Sequence, residues 1–143
     1  MFSRVCIVIS AIFLCLIWIA DAEAGELIVV ANQSVPDDTL RSKELGNIYY
    51  GKRTRWSDGT TLIPVVRKQG KIQDQFISSV LHKSVGQYES FWKQALFTGE
   101  GIPPRAFATE AALLEYVANT AGALGFVEKL PDSVQVKQLV IIE

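Results

Sequence analysis

The sequence predicts an α/β fold with a mostly parallel β-sheet flanked by helices, in a single domain that follows an export signal. Short runs of β-branched and other apolar residues, typical of strands buried on both faces, alternate with segments whose apolar residues recur at helical spacing. Such alternation indicates a mostly parallel sheet. No internal repeat, low-complexity tract or linker divides the 143-residue chain, so one domain is sufficient.

The first 24 residues have the features of a cleavable signal sequence. Arg4 supplies a positive charge, residues 5–20 are apolar or small throughout, and Ala22-Glu23-Ala24 matches a signal peptidase site. The apolar run has about 16 residues, fewer than the ~20 that span a bilayer, and an uncleaved anchor is the alternative. The predicted product is a periplasmic domain of residues 25–143 with no membrane span.

The composition excludes several classes of function. Both cysteines, Cys6 and Cys15, lie in the predicted signal, so the mature chain has no disulfide, thiol nucleophile or cysteine metal site. The whole chain has a formal net charge of −1, and residues 25–143 carry equal numbers of basic and acidic side chains. This balance argues against nucleic acid or a membrane surface as a partner.

The strands and helices follow from local patterns. Apolar runs predict strands at 27–30, 62–66, 123–127 and 134–142, and Pro64 places the second of them at an edge or makes it a strand start. Helical stripes predict helices over about 42–50 and 71–82, followed by a helix with a Ser84–Gln87 capping box and one capped by Thr109. Residues 98–105 are predicted to form a loop, and Gly51 a left-handed helix end.

Catalytic chemistry is poorly represented. The one histidine, His82, follows a helix, and a lone imidazole needs an orienting partner before it becomes a catalytic base. The motifs of serine hydrolases, zinc proteases and calcium loops do not occur. The sequence therefore predicts a protein that is not an enzyme, with no catalytic residues, no metal site and no cofactor.

A candidate anion site follows the second strand. The strand ends at Arg67, and Lys68-Gln69-Gly70-Lys71 leads into a helix, whose first backbone N–H groups attract anions. Arg67 and Lys71 would add charge-assisted hydrogen bonds, and the alternative is a solvated connection in which Gly70 makes the turn. The polar loop Asn32-Gln33-Ser34 also ends a strand, where α/β sheets place ligands, and it is predicted to line the same site.

The segment NIYYGKRTRWSDG (47–59) is predicted to be structural. Gly51-Lys52 follows a helix, whereas a P-loop glycine and lysine stand between a strand and a helix start. Its cations suit a helix C-terminus and a solvated turn. Trp56 is expected to pack over the helix end rather than to stack on a ligand.

Three stretches together resemble a known family. The segments TLRSKELGNIYYGKRTRWSDG, LIPVVRKQG and TEAALLEYVANTAGALGFVEK are similar, in order, to segments of the phosphate-binding proteins of ABC transporters. The resemblance covers about residues 39–129. In the first segment the matching residues are Leu40, Glu44, Leu45, Ile48, Gly51, Lys52, Trp56 and Gly59.

The resemblance implies a type-two periplasmic binding fold, in which two α/β lobes close on an oxyanion. This chain is about half that length and looks like one lobe. The family reads R-x-D-G-S-G-T at the ligand turn; here Arg67 and Gly70 match, but Lys71, Ile72 and Gln73 replace the residues that follow. Losing three hydrogen bonds to a charged ligand forfeits about 4–9 kcal/mol, enough to turn a micromolar site into a millimolar one.

Two functions remain open at this point. One is binding of phosphate or a similar small anion for ABC transport or sensing, with a homodimer rebuilding the cleft. The other is a ligand-free accessory module that contacts an ABC permease, a sensor or another envelope protein through exposed aromatic side chains such as Tyr50 or Trp56.

Overall fold

A computed structural model describes residues 25–143, and the predicted signal peptide lies outside the described residues. The chain forms seven strands and four helices within that range. In order they are β1 (Ile28–Ala31), β2 (Thr39–Arg41), α1 (Ser42–Tyr49), β3 (Ile63–Arg67), α2 (Lys71–Ser79), α3 (Val85–Thr98), β4 (Arg105–Phe107), α4 (Glu110–Asn119), β5 (Ala123–Val127), β6 (Lys137–Gln138) and β7 (Val140–Ile142).

Five strands form the main sheet, in the order β4-β3-β5-β1-β6. Strand β3 pairs in parallel with both β4 and β5, whereas β1 is antiparallel to β5 and to β6. Four strands therefore point in one direction and β1 alone is reversed, which confirms the predicted α/β fold with a mostly parallel sheet. A second, two-stranded sheet pairs β2 with β7 in parallel.

The helices cover both faces of the main sheet. Successive residues of a strand point to opposite faces, and Val65 and Val66 accordingly belong to two separate hydrophobic clusters. The cluster that contains Val66 is packed by α1, α2 and α3, and the cluster that contains Val65 is packed by α4. This arrangement explains why the strands read as continuous apolar runs rather than as alternating ones.

Tyr49 lies at the centre of the larger cluster. Its ring makes an edge contact with Phe76 at 4.6 Å between centroids, and Phe76 stacks on Phe126 at 4.1 Å. Its hydroxyl donates to the Val65 carbonyl at 3.0 Å, so the buried polar atom is satisfied. Burial raises the pKa of the Tyr49 hydroxyl well above its ordinary value, and burial also raises the pKa of Tyr88.

Several local predictions agree with the structure. Ser84 and Gln87 form the predicted capping box of α3, and the Thr109 hydroxyl accepts from the Ala112 N–H at the start of α4. Gly51 has a φ of 71° just after α1, as expected of a left-handed helix end. Pro64 stands near the beginning of β3, although that strand lies inside the sheet rather than at its edge.

Other elements differ from the prediction. The expected final strand over 134–142 is divided into β6 and β7, because Leu139 is buried and donates its N–H to the Val29 carbonyl while the chain passes from one sheet to the other. Strands β2 and β4 have three residues each, too short for a periodic pattern. Helix α2 ends at Ser79 rather than 82, and exposed His82 follows with a φ of 53°.

Candidate anion-binding site

The carboxyl ends of β3, β4 and β5 meet at one edge of the main sheet. Because β3 is parallel to both neighbours, α2 and α4 begin at this same edge, four residues after Arg67 and three residues after Phe107 respectively. Ligands of α/β folds bind outside the carboxyl ends of parallel strands. This edge is therefore the natural location for an anion site.

The start of α2 has the features of an anion site. Gly70 is the N-cap residue with a φ of 120°, a conformation that favours glycine, and within the described chain no side chain caps the helix. The first N–H groups of a helix lack intrahelical acceptors. Gly70 and Lys71 are both exposed, so these donors and the Lys71 ammonium are accessible to a ligand.

Arg67 lies beside this helix start but is already engaged on one side. Its Nη2 donates to the Ala108 carbonyl at 3.2 Å, and its Nη1 lies 3.7 Å from Oε2 of Glu110. The Arg67 Nε is buried and has no hydrogen-bond partner among residues 25–143. The buried Nε donor is thus unused, and the positive charge of the guanidinium is partly neutralised.

Glu110 is a residue that the sequence analysis missed. Its carboxylate accepts the N–H groups of Glu128 and Lys129, at 3.2 and 3.0 Å, in addition to its contact with Arg67. The side chain is therefore an internal anion that joins the ends of β3, β4 and β5. The available signal was an acidic residue directly after the Thr109 N-cap, where the helix dipole favours negative charge.

The predicted site residues do not all lie together. Strand β1 is reversed, so Asn32-Gln33-Ser34 lies at the amino edge of β3 and β5, and Arg67 lies at the opposite edge, about 13 Å away along a five-residue strand. A single small anion cannot contact both groups. The grouping of Asn32, Gln33 and Ser34 with Arg67, Gly70 and Lys71 is therefore wrong in its geometry.

The loop after β1 has a structural role instead. Asn32 is buried, and its Nδ2 donates to the carbonyls of Val117 and Ala118, at 2.8 and 3.0 Å, in the last turn of α4. These carbonyls are among those that a helix end leaves without intrahelical donors. The Asn32 Oδ1 accepts the Ser34 N–H, and the Ser34 hydroxyl accepts the Gly122 N–H, whereas Gln33 is exposed.

The segment at 47–59 is also structural, as predicted, but its tryptophan is placed differently. Trp56 is buried and donates its Nε1 hydrogen to the Gly122 carbonyl at 2.9 Å. It is Trp92 of α3 that packs over Gly51 at the end of α1. Trp56 therefore contributes no exposed surface, and its predicted position over the helix end is wrong. Among the cations, Arg53 pairs with Asp37 at 3.2 Å.

Two other structural features are absent from the described part of the chain. Residues 25–143 contain no group of three or more His, Cys, Asp or Glu side chains placed to hold a metal ion. Over the same range, the structure has no helix of the length and apolarity that crossing a membrane requires.

The structure is thus an α/β domain with an uncapped helix start at the carboxyl edge of its main sheet. Solved structures with this fold include an ABC-type phosphate transport receptor from Vibrio cholerae (TM-score 0.52, 20% identity) and PstS from Borrelia burgdorferi (TM-score 0.58, 10% identity). A third, from Clostridium perfringens, contains bound phosphate (TM-score 0.53, 16% identity). No protein-family model and no curated protein matches the chain.

The structural matches have unequal coverage. They include 80% of this chain but 45, 46 and 44% of the three receptors in the order given, so the chain spans less than half the length of each. The predicted resemblance to phosphate-binding receptors, in a form that corresponds to a single lobe, is thereby confirmed for the fold.

Proposed function

We propose that this protein is a periplasmic domain that binds phosphate or a related oxyanion at the start of α2, for ABC transport or for sensing. The observation that carries the proposal is the uncapped helix start at Gly70, next to Arg67 and Lys71, in a fold shared with phosphate receptors. Three N–H groups in the first turn and two cationic side chains would bind the anion.

The arrangement favours weak binding. Asp74 lies in the first turn of α2 and Glu110 already contacts Arg67, so two carboxylates oppose an incoming anion. A single lobe also leaves the ligand in water, where each charge–charge contact is weaker than in a closed cleft. We therefore expect a dissociation constant for phosphate of about 0.1–1 mM, equivalent to roughly −4 to −5.5 kcal/mol. A homodimer or a partner protein that covers this edge of the sheet would make phosphate binding tighter.

Calorimetric titration with phosphate at low salt tests the proposal. We expect Arg67→Gln to weaken binding about tenfold or more, because hydrogen bonds to charged groups contribute about 1.5–3 kcal/mol. Arg105→Gln is the matched control, since Arg105 is exposed on the neighbouring strand and lies over the rings of Phe107 and Tyr116. An absence of saturable heat up to millimolar phosphate, or an equal loss in both variants, would contradict the proposal.

A second candidate function is favoured by one observation. Large apolar side chains are exposed at and beyond the end of α3, with Phe97 93% and Ile102 83% exposed. Such residues, when clustered, mark protein-interaction surfaces. This function is a ligand-free module that contacts an ABC permease, a sensor, another envelope protein or a second copy of the chain. A double variant, Phe97→Ser with Ile102→Ser, tests this function. If the variant still binds the partner or still forms the dimer, this surface is not the interaction site.

A further inference from the structure

A cavity of about 420 Å³ lies beside the start of α2, between β3, α2, α3 and the Pro103-Pro104 segment. Its volume falls within the range of small-molecule sites, about 300–1,000 Å³. Most of the wall is apolar, whereas the end of β3 and the start of α2 contribute the polar residues Arg67, Lys68, Gln69, Gln73 and Asp74. The cavity therefore has an apolar body and a polar end, the usual organisation of a site for an organic ligand.

Two buried polar atoms at the polar end have no partner within the described chain. Gln73 is only 7% exposed, and its Oε1 accepts no hydrogen bond; the Arg67 Nε donates none. Buried polar atoms are nearly always satisfied, because desolvation is otherwise uncompensated. The terminal nitrogens of Arg67 are directed to Ala108 and Glu110, whereas its buried Nε has no partner in the described chain. Two residues that line the cavity thus carry a buried donor and a buried acceptor that no group of the described chain uses.

The aromatic wall offers no further hydrogen bonds. The Tyr88 hydroxyl and the Trp92 Nε1 both donate to the Tyr49 carbonyl, each at 3.2 Å. Their polar atoms are therefore engaged within the protein, and what the two side chains contribute to the cavity wall is mainly aromatic surface. A ligand with aromatic or branched apolar groups packs most favourably against such a wall.

The charges around the cavity are balanced. Lys68 and Lys93 are offset by Asp74 and Glu89 among the lining residues, and Glu110 partly neutralises Arg67. A neutral head group loses less hydration on entering this cavity than a charged one does. The lining charges are balanced, and the polar end carries, among the described residues, one unpaired buried donor and one unpaired buried acceptor. These features indicate a ligand whose head group is neutral and both accepts and donates a hydrogen bond.

We propose that this cavity binds a small organic molecule with an aromatic or branched apolar body and a neutral carboxamide-like head. The carbonyl of the head accepts from the Arg67 Nε, and its N–H donates to the Gln73 Oε1. The apolar body lies against Trp92 and the Pro103-Pro104 segment. This site is distinct in chemistry from the oxyanion site at the helix start, although Arg67 borders both.

Titration with three matched probes tests the proposal. Binding is monitored through the NMR signals of the Trp92 indole and the Gln73 side-chain amide. Benzamide carries a donor and an acceptor, acetophenone an acceptor only, and benzoate a negative charge. We expect benzamide to bind at about 1–10 mM, as for a fragment of about nine non-hydrogen atoms, and about three- to tenfold more tightly than acetophenone. Benzoate is expected to bind no better than acetophenone.

The substitution Gln73→Leu should reduce benzamide binding to the level of acetophenone. It should leave the melting temperature unchanged or higher, because it removes an unpaired buried oxygen. Gln75→Leu, the same change on the same helix but outside the cavity lining, is the control and should keep the preference.

Several outcomes would overturn the proposal. Two concern the probes: equal affinity for benzamide and acetophenone, or tighter binding of benzoate than of benzamide. The others are equal effects of the two substitutions on benzamide binding, or no change in the NMR signal of the Trp92 indole at the highest probe concentration. A parallel phosphate titration separates the two sites. Phosphate binding without benzamide binding refutes the cavity and leaves the oxyanion proposal intact, and the reverse result refutes only the oxyanion proposal.

Discussion

Glu110 is predicted to stabilise the carboxyl edge of the sheet, and its replacement by alanine tests that role. The carboxylate accepts the backbone N–H groups of Glu128 and Lys129, at 3.2 and 3.0 Å, and its Oε2 lies 3.7 Å from Arg67. It therefore connects the last residue of β3 with the two residues that follow β5 at this edge. Glu110→Ala removes all these contacts and introduces no new group.

The expected loss in the free energy of unfolding is about 1.5–4 kcal/mol. The two hydrogen bonds are solvent-accessible, so water replaces them and each contributes about 0.5–1 kcal/mol. The ion pair is partly exposed, at 18 and 24% for Arg67 and Glu110, and adds about 0.2–1 kcal/mol. The charge at the start of α4 adds about 0.3–1 kcal/mol through the helix dipole. For a domain of this size, the melting temperature should fall by about 6–16 °C.

Thermal and urea denaturation at pH 7 measure this loss. Glu115→Ala is the matched control: Glu115 is exposed on the same helix and forms no ion pair in the described structure, so its replacement should change stability by less than about 0.5 kcal/mol. Equal stabilities of the two variants would refute the role assigned to Glu110. The same variant should bind phosphate about three- to fivefold more tightly, because Arg67 loses a competing anion worth roughly 1 kcal/mol.

Three other perturbations follow from the core. Gly122→Ala should destabilise by more than about 3 kcal/mol in urea denaturation, because its φ is 79° and an added Cβ would meet the Thr61 carbonyl. Tyr49→Phe should cost about 1–3 kcal/mol by leaving the buried Val65 carbonyl without its donor; an unchanged midpoint would contradict this. Because burial raises the pKa of Tyr49 and Tyr88, their contribution is present below pH ~10 and lost as pH rises further, so Tyr88→Phe should show a shallower alkaline decline in stability.

The main elements of the fold could be predicted because their signals are local. The run at 27–30 and the Ser84–Gln87 capping box each report a preference that neighbouring residues impose, and both agree with the structure. The division of the C-terminal run into β6 and β7 depends instead on pairing with β1 and β2, far away in sequence. No local pattern distinguishes one long edge strand from two short ones.

The candidate site could be predicted only in part for a similar reason. Arg67, Gly70 and Lys71 lie within five residues of the sequence, so a strand–turn–helix pattern is enough to bring them together. Assigning the loop at Asn32 to the same site required the direction of β1, which periodicity does not encode. Glu110 was missed because its hydrogen-bond partners follow β5, and Gln73 was missed because the cavity that it lines is formed by several elements.

The reversed strand β1 has a consequence for the time course of synthesis. Its partners in β5 are about 100 residues further along the chain, so at roughly 5–20 residues per second β1 waits about 5–20 s before a neighbour exists. During that interval the segment Ile28–Ala31, almost entirely buried in the finished sheet, is exposed and unpaired. Such a segment is a natural binding target for a chaperone on the nascent chain, and a strand edge at which aggregation would begin if none were present.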